Sequence, residues 1–577
     1  MSFQAKLLGV TNSNAHPLVG VRDPIPGVIY PPAERLRQYV ESGELPATTL
    51  TEALAQSFAA HANNVALHTP EGSITYAQLD DVTNRFAAGL LEIGLEPLDR
   101  VLFQLNNCKE VIFAFVGCLK AGLIPVCTLP AHREREIEYL GRHVDARAHI
   151  VQGDDPKFDF GAFALKVQVN VPTVRHVISV RGVGSRPGIL RLEDVVEGQS
   201  AKSSVSAVHS VPRDPFQVGI FQLSGGTTDV PKIIPRMQND FLLNAQLTAR
   251  WLGYRPADVM FMPMPMIHNA CMVCFWVPTL LTGAAYSIPS DMTPESWALC
   301  MRQARPTWIG LIRALLPRLD ALAETDAQLL ERVRGFWCPD AARTVREKFG
   351  KPTYAMFGMS EGMNMYTRDT DSQDVRDWSV GRPLSRFDEV RLVEPGINTE
   401  VAAGQIGELT CRGPYTLSGY YNAPERNREA FTSDGFYRTG DLMVFAEVEG
   451  ERIFSFAGRN KDVIVRGHEK INCEEVENGI STHPAVVGCA LIGMPDPTLG
   501  ERACIYLVLK KGRFVPTVAE LGRHMESLGF AKFKWPERIE VIDALPLTKV
   551  GKLDKAPLRE LLRQRLAEAD RHREGVP

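Results

Sequence analysis

The sequence predicts an α/β fold: a large N-terminal domain of parallel sheets packed with helices, followed by a small α+β domain. Two patterns point there. Apolar runs of strand length alternate with amphipathic helical stretches through the first half of the chain. Beyond residue 458 the order changes to a compact set of strands and short helices. With 577 residues there is room for both units and a large buried core.

In chain order, Thr75-Tyr-Ala-Gln78 has the spacing of a capping box, and Leu79, Val82, Phe86, Leu90 and Ile93 recur at helical intervals up to Gly94. A strand at Val101–Leu105, a helical run around Val111–Leu119 and a strand at Leu123–Leu129 follow. Ala201–Ser206 reads as a polar, serine-rich connection. Val218–Leu223, Val259–Met262 and Thr307–Ile312 read as further buried strands. Gly458-Arg-Asn-Lys-Asp462 is a polar joint after a strand-rich stretch. After it come strand Val463–Val465, helix Glu474–Ser481, strands near Val486–Ile492 and Ala503–Leu509, helix Val518–Leu528 and strand Arg538–Ile542. The mixed-charge tail Arg559–Arg573 reads as a solvated amphipathic helix.

Composition narrows the function classes. Hydrophobic residues make up 45% and charged residues 23%, as in soluble globular proteins. A net charge of -4, without a basic patch interleaved with aromatics, argues against nucleic acid as a partner. The apolar runs are too short for a membrane span, and Met1-Ser-Phe-Gln-Ala-Lys6 lacks a secretory pattern. The eleven cysteines are scattered, which fits a cytoplasmic protein. Cys271-Met-Val-Cys274 has redox or zinc spacing, but it stands in an apolar setting without a second pair, which favours a pocket wall.

Four segments carry the chemistry. Phe221-Gln-Leu-Ser-Gly-Gly-Thr-Thr-Asp-Val-Pro-Lys-Ile-Ile-Pro-Arg236 runs from a strand into glycines and hydroxyls that suit phosphate oxygens, with Lys232 behind. It is no P-loop, because Gly-Lys-Ser/Thr is missing. Tyr354-Ala-Met-Phe-Gly-Met-Ser-Glu-Gly362 gathers an aromatic, a hydroxyl and a carboxylate. Gly435-Phe-Tyr-Arg-Thr-Gly-Asp441 offers an acid for ribose hydroxyls, and Leu545-Pro-Leu-Thr-Lys-Val-Gly-Lys552 a lysine on a turn. Singly, Asp441 reads equally as a turn residue, Glu361 as a helix cap and Lys552 as a solvated lysine.

In order and separation the four segments resemble the adenylate-forming superfamily, from about Thr49 to about Arg563. The resemblance implies a large adenylation domain over 1–458 with a β-barrel-like subdomain. It also implies a mobile lid over 459–577, hinged at 458–462 with Lys461 at the pivot. The implied reaction joins a carboxylate to ATP as an acyl-adenylate, then passes the acyl group to a thiol. ATP and Mg²⁺ are the implied cofactors. By resemblance Ser224, Gly225, Gly226, Thr227, Thr228 and Lys232 hold the β- and γ-phosphates. Glu361 binds Mg²⁺, Ser360 faces the α-phosphate, Phe357 and Gly358 border adenine, and Asp441 and Arg459 take the ribose. Lys552 reaches the α-phosphate and the carboxylate during adenylation.

The segment Pro263-Met-Pro-Met-Ile-His-Asn-Ala-Cys-Met-Val-Cys274 narrows the acid. It holds no carboxylate to pair an ammonium, which disfavours α-amino acids. His268-Asn269, with Leu129-Pro-Ala-His-Arg133, Phe221-Gln-Leu-Ser-Gly-Gly226 and Arg412-Gly-Pro-Tyr415, resembles the aryl-acid AMP ligases of siderophore and aryl-capped peptide assembly. There the asparagine amide bonds an ortho-hydroxyl, and the histidine lines the carboxylate entrance as a catalytic group. Cys274 stands where cysteine goes with salicylate and serine with 2,3-dihydroxybenzoate. Ala270 replaces an aromatic, so a roomier pocket is expected. Read without the resemblance, Asn269 is a strand-end amide and His268 a buried, satisfied histidine.

Three departures run against the match: Asp229 replaces a phosphate-loop glycine, His468 replaces a glycine on the thiol route, and the stretch between Val333 and Ala342 is shorter than the family's adenine loop. Three activities therefore stand: an aryl-acid AMP ligase loading the pantetheine of a carrier protein, an aryl-CoA ligase using coenzyme A, and an impaired homologue acting as a binding protein.

Overall fold

The protein is described here by a computed structural model covering residues 19–182, 186–224, 231–459, 462–466, 469–496, 498–528, 530, 532–548 and 553–574. Two seven-stranded sheets form the frame of the large domain. One orders its strands Ile189–Arg191, His176–Val180, Ala146–Gln152, Arg100–Gln104, Ile124–Val126, Val218–Leu223, Ile233–Met237. The other runs Thr353–Tyr354, Gly335–Trp337, Trp308–Gly310, Val259–Phe261, Ala285–Ser287, Val65–Thr69, Gly72–Thr75. Both are parallel except for the last pair in each, which is antiparallel.

The expected capping box starts the helix Tyr76–Glu92, with Thr75 and Gln78 each satisfying the other's backbone N–H. Leu79, Phe86 and Leu90 are buried on its inner face. The next helix, Lys109–Lys120, is buried over almost its whole length. Its last residue, Lys120, reaches Asp80 Oδ1 at 2.6 Å, with Thr83 and Asn84 at 2.8 Å. Burial holds that ammonium below its usual range, and Asp80 opposes the shift.

Three short strands, Met356–Gly358, Asn364–Tyr366 and Arg382–Pro383, form one antiparallel sheet. Four longer ones, Glu389–Val393, Gly407–Arg412, Tyr437–Val448 and Glu451–Arg459, form another. A bridge between Gly381 and Phe454 joins the two, and Met363, Met365, Leu409, Met443 and Phe454 fill the core of this barrel-like unit. In the C-terminal part, strands Val463–Arg466, Glu469–Asn472, Val486–Asp496 and Gly500–Leu509 pair antiparallel, and Arg538–Val541 runs parallel to Gly500–Leu509. Cys473–Ser481 and Val518–Ser527 are its first two helices.

Two sequence expectations are corrected. The serine-rich stretch is the helix Ala201–Ser210, capped by the Ser200 hydroxyl, which accepts the Ser203 N–H. The tail is the helix Ala556–Glu574 and is not simply solvated. Leu558 and Leu562 are 3% and 1% exposed, against Ala490, Ile492 and Tyr506. Lys555 and Glu477, both largely buried, meet at 2.7 Å, and Arg559 reaches Asp462 at 2.8 Å.

All eleven cysteines are buried, and burial pushes every thiol up. No helix among the described residues is long and apolar enough to cross a membrane.

Candidate active site

The strand Val218–Leu223 delivers Ser224 to the start of the glycine-rich loop, and Lys232 closes the loop's base. Ser224 N–H donates to the Lys232 carbonyl at 2.9 Å, and Lys232 N–H donates to Ser224 Oγ at 3.1 Å. Gly225, Gly226, Thr227, Thr228 and Asp229 lie outside the described residues, as do Lys461, His468 and Lys552.

From that base a polar chain leads to Glu361. Lys232 Nζ lies 4.4 Å over the Tyr420 ring and 3.4 Å from its hydroxyl. The Tyr420 hydroxyl donates to Glu361 Oε1 at 2.8 Å and lies 2.8 Å from the Tyr437 hydroxyl. Burial, reinforced by the Glu361 carboxylate, pushes both phenols up and keeps them neutral hydrogen-bonding groups. The other Glu361 oxygen makes no hydrogen bond among the described residues.

Glu361 sits on the turn between the strands Met356–Gly358 and Asn364–Tyr366, so it caps no helix. Glycine is required next to it. Gly362 has φ +125°, and a Cβ there would lie 1.8 Å from the Tyr415 carbonyl oxygen. On the same turn the Ser360 carbonyl accepts from Arg236 Nη1 at 3.1 Å, and the Glu361 carbonyl accepts from Leu417 N–H at 2.8 Å. Phe357 lies in the apolar core with its ring stacked on Phe456 at 6.0 Å, while Gly358 beside it is exposed.

Asp441 and Arg459 are register partners on adjacent strands, and Arg459 Nε donates to Asp441 Oδ1 at 3.0 Å. Tyr437, whose hydroxyl meets that of Tyr420, begins the strand Tyr437–Val448 that also carries Asp441. Lys232, Glu361 and Asp441 are thus gathered, from segments that are remote in sequence.

The segment Pro263–Cys274 meets the strand that leads to Ser224, where Gln222 Nε2 lies 3.0 Å from the Met272 sulfur. His268 caps the short helix Asn269–Cys271, its Nδ1 accepting the Ala270 N–H at 3.3 Å. Asn269 therefore begins a helix, where a strand-end amide was the simpler expectation. Its Oδ1 is buried and has no hydrogen-bond partner among the described residues. Met272–Trp276 continues as a π-helix, a wide turn that leaves carbonyls to be satisfied from outside. Tyr254 does this, donating to the Cys274 carbonyl at 2.9 Å. The Cys274 thiol, pushed up to about 12 by burial, accepts from the Tyr366 hydroxyl at 3.2 Å. Trp337 Nε1 in turn donates to that hydroxyl at 3.0 Å. Cys271 meets Tyr286 at 3.2 Å, so both thiols are engaged by tyrosine hydroxyls.

Sequence reading missed Tyr420, Tyr366, Trp337 and Arg236. Tyr437 lay inside a segment already singled out, Gly435 to Asp441, and Arg236 ended another. The shortened stretch between Val333 and Ala342 holds the strand Gly335–Trp337 and then a bend, whose Asp340 accepts the Arg313 N–H at 2.8 Å.

The layered sheets, the barrel-like unit and the small C-terminal domain around this acidic turn define an adenylate-forming enzyme, a class that works with ATP and Mg²⁺. The chain belongs to the AMP-binding enzyme family: residues 54–421 match that family, and residues 475–552 match the AMP-binding enzyme C-terminal domain. It is 33% identical to the 2,3-dihydroxybenzoate-AMP ligase of Bacillus subtilis, over 93% of this chain and 97% of that one. It is 35% identical to the 2-hydroxy-7-methoxy-5-methyl-1-naphthoate–CoA ligase of Streptomyces carzinostaticus, over 93% and 97%. The apo structure of MbtA from Mycobacterium smegmatis is similar with a TM-score of 0.68 and 33% identity, covering 93% of this chain and 99% of that chain.

Proposed function

We propose that the protein activates an ortho-hydroxy aryl carboxylic acid, salicylate or a substituted relative, as its adenylate and loads it onto the pantetheine thiol of a carrier protein. One observation carries the choice of acid: the buried Oδ1 of Asn269, without a hydrogen-bond partner among the described residues, at the head of the short helix Asn269–Cys271. A buried acceptor left unpaired is costly, and an ortho-hydroxyl beside the substrate carboxylate is the donor that satisfies it. Cys274 supports salicylate over 2,3-dihydroxybenzoate, since its sulfur already takes the Tyr366 hydroxyl and is a poor donor to a second ring hydroxyl. Ala270 leaves width for a larger ring, in keeping with the naphthoate named for one relative.

The attacking nucleophile is the substrate's own carboxylate, so the protein's task is to orient it and to stabilise charge. In this reading Lys232 and the loop from Ser224 to Thr228 hold the outer phosphates, Asp441 and Arg459 hold the ribose, and His268 lines the carboxylate entrance. The Glu361 oxygen that makes no hydrogen bond among the described residues fits Mg²⁺, which takes one or two carboxylates and completes its shell with phosphates and water. Bound there, Mg²⁺ would neutralise triphosphate charge. The lid over 459–577 turns at 458–462 between the two half-reactions, and Lys552 serves the first. The buried thiols fit a reducing cytosol. Coenzyme A as acceptor is the second reading, favoured by the CoA ligase among the relatives.

ATP–pyrophosphate exchange across salicylate, 2,3-dihydroxybenzoate, benzoate and bicyclic ortho-hydroxy acids tests the proposal. Salicylate-type acids are expected to lead. Asn269→Ala should cost them about 1–3 kcal/mol in kcat/KM while sparing benzoate. Equal losses for salicylate and benzoate would return Asn269 to a structural role.

A further inference from the structure

Arg236 stands directly behind the acidic turn and has no role in the chemistry described so far. Its side chain is 0% exposed. It is the fourth residue of the strand Ile233–Met237, which follows Lys232 directly. Lys232 and Arg236 both reach this site, one to Tyr420, the partner of Glu361, and the other to the turn itself.

The guanidinium works in two directions. Nε donates to Asp240 Oδ1 at 2.9 Å, and Nη1 donates to the Ser360 carbonyl at 3.1 Å. Asp240 is itself fixed, because its Oδ2 accepts the Met237 N–H at 2.8 Å. The third nitrogen, Nη2, is buried with no partner among the described residues. A buried ion pair is weak support for stability, and one that leaves a nitrogen unpaired is weaker still. Its geometry does something apolar packing could not do: it grips the main chain between Ser360 and Glu361. From the other side Leu417 N–H holds the Glu361 carbonyl, and the Tyr415 carbonyl presses on Gly362. The turn is clamped front and back.

We propose that Arg236 is a positioning residue for the first half-reaction, holding the Ser360–Glu361 turn so that the Glu361 carboxylate is preorganised for Mg²⁺-triphosphate. This rests on the reading of Glu361 given above. A lysine can keep the ion pair with Asp240, but it lacks the planar fork that also reaches Ser360.

Arg236→Lys is therefore the test, measured by pyrophosphate exchange with the best acid of the panel while Mg²⁺ is titrated. The Mg²⁺ concentration for half-maximal rate is expected to rise about fivefold or more and kcat to fall about tenfold, the order expected when a supporting partner of a metal ligand is lost. Transfer from supplied acyl-adenylate to thiol should be unchanged. Asp240→Asn, which leaves the Ser360 bond in place, should lower the thermal midpoint without moving the Mg²⁺ requirement. That variant also decides the matter should Arg236→Lys fail to fold, since a raised Mg²⁺ requirement in Asp240→Asn would overturn the proposal. So would an Arg236→Lys enzyme whose Mg²⁺ titration matches the wild type. Glu361→Gln run in parallel separates the two ideas: if it too leaves the Mg²⁺ dependence unmoved, the reading of Glu361 has failed, and otherwise only that of Arg236.

Discussion

Lys552→Ala abolishes adenylate formation, lowering pyrophosphate exchange by about 10²–10³-fold or more, while supplied acyl-adenylate still reacts with thiol. The size is that of removing a cation aimed at charge that develops in the transition state, the role proposed for Lys552. The selectivity follows from where the lysine stands in the chain. Leu547 and Leu553 form a bridge on either side of it, and Asp554 N–H donates to the Pro546 carbonyl at 2.9 Å. Just beyond, Lys555 is tied to Glu477 and Arg559 to Asp462, the residue after the proposed pivot. The residues on either side of the lysine thus pack within 459–577, the part proposed to turn away before thiol attack. A variant that keeps most of its exchange, or loses both halves equally, defeats the assignment.

Glu361→Gln is the second large effect, a fall in exchange of about 10²-fold that excess Mg²⁺ partly restores. The amide keeps the shape and can still accept the Tyr420 hydroxyl, so packing around the turn is preserved. What disappears is one negative charge at the proposed Mg²⁺ site, where a metal's stabilisation of transition-state charge is on the order of several kcal/mol. Each 1.4 kcal/mol or so is a factor of ten in rate. Tyr420→Phe provides contrast: it removes a hydrogen bond and leaves the charge, so only a several-fold loss is expected. An unaltered Mg²⁺ titration in Glu361→Gln would refute the metal role.

Much of this was legible in the residues. Capping boxes and helical spacing gave the first helices because those signals are local, as at Thr75 and Gln78. The site segments were legible because their chemistry is concentrated in a few adjacent residues, as in Ser360-Glu361-Gly362. Arg236 escaped because its meaning depends on Ser360, 124 residues away, and Tyr420 because its partner Glu361 is 59 residues away. The tail was misread for a related reason. Leu558 and Leu562 look like a sparse apolar stripe until the sheet carrying Ala490 and Tyr506 is set beneath them.

The burial of every cysteine has a consequence for an enzyme whose proposed second substrate is itself a thiol. A chain with an exposed, ionisable sulfur would compete for the activated acyl group and would trap the pantetheine arm as a mixed disulfide under oxidation. Here the folded enzyme is a silent bystander to sulfur chemistry. An aromatic disulfide reagent added to the native protein should therefore register almost none of the eleven thiols until denaturant is added. Disappearance of the acceptor's thiol can then be read in aliquots withdrawn into the reagent, without background from the native catalyst.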